Sequence, residues 1–155
     1  MKPNLGMTDK ELKAVAEELT DFLADTYALY LKTQNFHWNL TGKEFFSLHL
    51  LFEKQYEDLA DAVDEIAERI RALGFYAEAS FSAFKKRTKI PDENKKVSIS
   101  EMVKRLLKGH EYISKTYRPM ITKWQKLHDE MSADLMIKRL GIHEKAAWML
   151  RSELE

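Results

Sequence analysis

Apolar side chains return at three- and four-residue steps through most of the chain, and no stretch alternates with the two-residue period of a strand. Thr8 and Glu11 form a capping box, and Leu12, Val15, Leu19, Phe22, Leu23, Leu29, Tyr30 and Phe36 then predict a helix over about residues 9–36. After the turn Asn39-Leu40-Thr41-Gly42, the series Phe45, Phe52, Leu59, Val63, Ile66, Ile70 and Leu73 predicts a second helix over about 43–73, with Gly74 as its C-cap. A second capping box, Ser98 with Glu101, opens a third helix over about 99–127 carrying Met102, Leu106, Leu107, Ile113 and Tyr117, which Pro119 should kink or interrupt. Leu135, Met136, Leu140, Ala147, Trp148 and Leu150 predict the fourth, over about 130–154, with Gly141 as a weak point.

Connection lengths then suggest a topology. The short links within each pair make two antiparallel hairpins, whereas residues 74–97, which include Pro91, form a crossover with room for a short helix around Ser80 to Lys86. Such a crossover lets the third helix run parallel to the second. The expected architecture is all-α: one domain over 1–155 with a short tail at 1–8, folded as a ferritin-like four-helix bundle with a short extra helix in the crossover.

Polar residues break the apolar pattern of the second helix. At ~100° per residue, His49, Glu53, Asp64 and Glu68 fall within an arc of about 100°, yet Glu53 and Asp64 lie ~16 Å apart along the axis. One straight helix cannot bring both pairs to one transition metal. Each pair alone has a plain explanation: His49 with Glu53 as a surface contact, and Asp64 with Glu68 as acids balanced by Arg69 and Arg71. His37, where the first helix ends, joins the pattern. An intrachain di-iron site would need Glu-x-x-His motifs, and no Glu here has a His three residues later. Two copies meeting about a two-fold axis with these helices antiparallel would set His49 and Glu53 of one against Asp64 and Glu68 of the other.

Composition limits the chemistry. With 25 basic and 25 acidic side chains the formal net charge is zero, which gives no global preference for nucleic acid or membrane. Without cysteine, any metal must be held by nitrogen and oxygen ligands. No signal-peptide core and no window of ~20 apolar residues is present, so the expectation is a cytoplasmic protein with no membrane association.

The segments HWNLTGKEFFSLH, residues 37–49, and VDEIAERIRALGFYA, residues 63–77, resemble the two signature segments of the Dps family, the mini-ferritins or DNA-binding proteins from starved cells, and HEKAAWMLR at 143–151 extends the likeness. That resemblance implies a homo-oligomeric, dodecameric hollow shell that oxidises ferrous iron between two-fold-related subunits, usually with hydrogen peroxide, and stores ferric mineral without an organic cofactor. By the family's motif, His37, His49 and Glu53 would come from one subunit and Asp64 and Glu68 from its partner. Many members carry Asp where this chain has Glu53, a longer arm that bears on metal spacing. Glu130 and Asp134, one turn apart, match positions that line acidic iron-entry pores in the family, and they would equally favour a helix N-terminus by offsetting its dipole.

Other residues are assigned no chemistry. His110, His128 and His143 are expected in surface or interface roles, Trp38 in packing rather than radical quenching, and the methionines and tryptophans at core-type positions. A basic stretch of Lys85, Lys86, Arg87, Lys89, Lys95 and Lys96 is interrupted by Asp92 and Glu93 and reads as a solvated loop, and Lys2 is the only lysine before Lys10, so DNA binding has weak support. The alternative to iron oxidation and storage is a nucleoid-associated, DNA-binding shell with little ferroxidase activity.

Overall fold

The computed structural model describes residues 3–155 and is built from five helices. Helix α1 spans Asp9–Asn39, α2 Phe45–Ala72, α3 Phe81–Arg87, α4 Ile99–Lys126 and α5 Glu130–Ser152. At the start of α1 the Thr8 hydroxyl accepts from the Glu11 amide while the Glu11 carboxylate accepts from the Thr8 amide, which satisfies two otherwise free donors. Gly74, with φ of 91°, ends α2 in a Schellman arrangement: its amide donates to Arg71 and that of Phe75 to Ile70. A Cβ at Gly74 would also lie 2.7 Å from Pro3, whose ring packs over this turn.

Two sequence expectations need correction here. Of the two outcomes expected at Pro119, interruption does not occur: α4 runs through it unbroken, with Pro119 on the exposed side, where the carbonyl it leaves unpaired can reach solvent. Ser98 does cap α4, but the Glu101 carboxylate pairs with Arg105 and Lys104 rather than closing a reciprocal box.

Helices α1 with α2 and α4 with α5 form antiparallel hairpins, α1 packs on α4, and α2 packs on α5. Registers confirm the directions: Asp25 meets Tyr117 while Leu29 meets Gly109, and Arg69 meets Asp129 while Asp58 meets Arg139. The second and fourth helices, α2 and α4, therefore run parallel across the long link, as its length suggested. Phe22, Phe36, Phe52, Leu59, Ile66, Leu106, Ile113 and Met136 fill the centre with almost no exposure. Two buried carboxylates fasten the crossover. Asp25 accepts from the Thr88 and Tyr117 hydroxyls and the Lys89 amide, and Glu93 pairs with Lys32 at 3.0 Å and Arg105 at 2.6 Å. Among the described residues no helix is long and apolar enough to cross a membrane.

Candidate metal centre

The α1–α2 hairpin places the last turn of one helix beside the first turns of the other, so His37 and His49 face each other. Their rings stack with centroids 3.8 Å apart and an interplanar angle of 21°. Each also bonds the other's backbone: His37 Nδ1 donates to the His49 carbonyl at 2.9 Å, and His49 Nδ1 to the His37 carbonyl at 3.2 Å. A carbonyl only accepts, so each ring carries a proton on Nδ1, and in the neutral tautomer this leaves the Nε2 lone pair as the one that could meet a metal. Phe45 stacks on His49 at 4.8 Å and Tyr56 meets His37 edge-on at 5.1 Å, which restrains both rings further.

Glu53 stands one turn beyond His49 on the same face of α2, half-buried and, among the described residues, with no side-chain hydrogen bond or ion pair. Its charge, after burial and together with Glu57 and Tyr30, holds the Tyr56 phenol above the usual tyrosine range. Asp64 and Glu68 lie farther along α2, exposed and likewise without a side-chain partner among the described residues. Arg69 and Arg71 do not balance them: Arg69 donates to Ser132 and Asp129, and Arg71 to the Phe75 carbonyl. Neighbouring Glu65, by contrast, pairs with Lys138 at 2.9 Å. Within one chain the predicted site is thus divided: His37, His49 and Glu53 at one end of α2, Asp64 and Glu68 at the other. Among the described residues of the single chain, no group of three or more His, Asp or Glu is placed to hold a metal ion.

Near the histidine end, large apolar side chains are exposed. Trp38 is 65% exposed, Phe46 75% and Leu50 48%, a patch of the kind that usually marks a contact surface. The expectation that the tryptophans occupy core positions fails for Trp38 and for Trp148, also exposed, and holds for Trp124, which is fully buried and donates to Glu18. Glu130 and Asp134 are both exposed on the first turns of α5, where Asp129 supplies the cap.

His110 and His143 overturn the surface role expected of them. Both are buried between α4 and α5, with Nδ1 atoms 2.9 Å apart, so one ring donates and the other accepts, and the two hold opposite tautomers. Burial, and then the Arg139 guanidinium, pushes His110 down to about 4, against a small opposing pull from Asp58; burial, His110 and Arg139 hold His143 well below the usual histidine range. Arg139 is itself buried and forms a two-pronged pair with Asp58 of α2 at 3.1 and 2.8 Å. His128 is exposed, as expected, in the left-handed turn before α5. Helical spacing within one chain segment could not reveal the His110–His143 contact, because the residues sit on different helices.

Comparison with known proteins bears on this arrangement. Residues 16–155 match the model of the ferritin-like domain. A DNA protection during starvation protein of Porphyromonas gingivalis is 36% identical over 145 residues, covering 94% of this chain and 91% of that protein. A second protein of that name, from Bacillus anthracis, is 37% identical over 145 residues, covering 92% and 97%. The crystal structure of a Dps protein from Vibrio cholerae, described as a member of the ferritin-like diiron-carboxylate superfamily, superimposes with a TM-score of 0.93 at 31% identity and covers 100% of this chain and 98% of its own.

Proposed function

The chain belongs to the Dps family of ferritin-like proteins, and from that premise we propose that it oxidises ferrous iron at sites shared between two copies and stores the ferric product inside a hollow dodecameric shell. The observation that carries this reading is the division of α2 into two open half-sites. One end offers two histidines with Nε2 free and an unpaired Glu53; the other offers unpaired Asp64 and Glu68. Antiparallel pairing of two α2 helices joins opposite ends, and the exposed Trp38, Phe46 and Leu50 give that pairing an apolar surface to bury.

The donor set suits iron as substrate. Carboxylates are hard oxygen ligands that stabilise ferric iron, imidazoles accept ferrous iron, and a sparse ligand set leaves positions for an oxidant. With hydrogen peroxide as preferred oxidant, two ferrous ions each give one electron, the O–O bond breaks, and two protons complete two waters. Storage and protection from oxidative damage then follow from one reaction, in the cytoplasm and without an organic cofactor. Glu130 and Asp134, exposed and unpaired, supply negative potential for iron entry between subunits.

The alternative of a DNA-retaining shell draws less support. In the basic stretch Lys85 pairs with Asp92, and Arg87 with Asp21 and Glu17, while Pro3 and Met7 of the tail pack against the body of the protein. The discriminating experiment is anaerobic ferrous loading of the assembly followed by a pulse of hydrogen peroxide. About one peroxide consumed per two ferrous ions, with ferric absorbance rising, supports ferroxidation. Salt-sensitive DNA retention with no iron-dependent peroxide loss would favour the alternative.

A further inference from the structure

Three tyrosines extend away from His37 in ring-to-ring contact. Tyr56 lies 5.1 Å from the His37 ring, Tyr30 6.2 Å from Tyr56, and Tyr27 5.6 Å from Tyr30, each pair close to edge-on. Tyr27 then meets Phe84 at 4.8 Å and lines an open groove of about 540 Å³ with Leu31, Phe81 and Phe84. We propose that Tyr56, Tyr30 and Tyr27 form a relay that carries one-electron oxidising equivalents from the ferroxidase site to this groove, where a small reductant such as a thiol removes them. The inference rests on the ferroxidase reading above and adds a fate for the event that reading does not cover.

That event is peroxide arriving when only one ferrous ion is bound. The single ion supplies one electron, peroxide takes it with one proton, and the products are ferric iron, water and a hydroxyl radical. The nearest oxidisable ring edge to His37 is Tyr56. Its O–H bond breaks, the hydrogen atom converts the hydroxyl radical to water, and a neutral tyrosyl radical remains. Tyr30 passes an electron to that radical and releases its proton to the phenolate so formed, and Tyr27 does the same for Tyr30. At the groove a thiol gives a hydrogen atom to Tyr27, which restores the phenol and leaves a thiyl radical.

Packing alone does not explain these residues. Burying a phenol normally requires a partner for its hydroxyl, as at Tyr117, whose hydroxyl donates to buried Asp25 at 2.7 Å. In the tyrosine row, among the described residues, only the Tyr30 hydroxyl is engaged, accepting from Gln34 at 3.2 Å, and all three rings are half-exposed, so phenylalanine would pack as well. The ring separations fall in the range of direct aromatic contact, where electron exchange needs no intervening group. Trp38, next to His37 in the chain, is mostly exposed, whereas Tyr56 is the residue in ring contact with His37.

The test loads the assembled protein with less than one ferrous ion per site, adds peroxide, and freezes samples for electron paramagnetic resonance while ferric absorbance is recorded in parallel. Wild type should give a tyrosyl signal that added thiol quenches. Tyr56→Phe, which keeps a ring against His37, should lose that signal and release hydroxyl radical to a spin trap. Tyr27→Phe should keep a radical, with the altered hyperfine pattern of Tyr30 and slower quenching by thiol. A wild-type signal in Tyr56→Phe, or no tyrosyl signal in wild type while ferric iron forms, overturns the relay and leaves the ferroxidase reading intact. Ferric formation that does not depend on His49, Asp64 and Glu68 removes both.

Discussion

Two pairs of histidines, each joining two helices, have opposite fates in this fold. His37 and His49 sit at the open end of the α1–α2 hairpin, bond each other's carbonyls through Nδ1 and keep both Nε2 atoms for a ligand. His110 and His143 sit inside the α4–α5 hairpin, bond each other directly through Nδ1, and are kept neutral by burial and a nearby guanidinium. Residue type is the same; what differs is the acceptor each Nδ1 finds and the charge nearby. On the proposed reading, the first pair is open to metal because backbone carbonyls take its Nδ1 protons and Glu53 stands near it, whereas the second is a structural element beside Arg139.

The largest expected effect separates the pairs by activity. His49→Ala should lower peroxide-driven ferrous oxidation by on the order of 100-fold, the upper end of what even a supporting partner is worth to a metal site, whereas His143→Gln should leave the rate near that of wild type. Ferric absorbance after a peroxide pulse measures both.

Acid stability should depend on the other pair. Because burial depresses the folded-state affinity of His110 for protons, the unfolded chain takes up a proton near pH 6.5 and the folded chain only near pH 4. The stabilisation is therefore fully present above about pH 6.5 and is lost as pH falls toward 4, by roughly 3 kcal/mol at the lower end. His143, shifted in the same direction, steepens that loss. Thermal midpoints measured from pH 7 to pH 4 should fall less steeply in His110→Leu/His143→Leu than in wild type. An unchanged slope would mean that the core pair does not govern acid unfolding.

A smaller effect is expected beside His110. Gly109 lets α4 approach Leu29 so closely that an added Cβ would lie 2.6 Å from its methyl group. Gly109→Ala should cost about 1–2 kcal/mol through overpacking, read from the denaturation midpoint, with ferrous oxidation unaffected.

The bundle was legible in the sequence because helix periodicity, caps and the long crossover are local signals. Thr8, Ser80, Ser98 and Gly74 punctuate the helices where the turn chemistry demands, and α3 lies where the crossover had room for it. Of the candidate site, the stripe on α2 and the position of His37 could be read from spacing, whereas the ring stacking and reciprocal bonds could not, since they depend on two helices meeting. The burial of His110 and His143 escaped for the same reason. Exposed Trp38 and Trp148 misled because hydrophobicity does not say whether an apolar residue faces the chain's own core or another surface. Tyr56 was within reach, being three residues beyond Glu53 and seven beyond His49 on the same stripe.

The central claim, that two copies complete one site, is tested most directly by complementation. His49→Ala and Asp64→Ala/Glu68→Ala proteins would be assembled separately and, after unfolding and joint refolding, as a mixture, and each would receive ferrous iron and peroxide. In a mixed pair the histidines of one copy and the carboxylates of the other form one intact site, so each parent should be inactive and the mixture should recover part of the wild-type rate. A mixture as inactive as its parents, in fully assembled protein, would contradict the shared site.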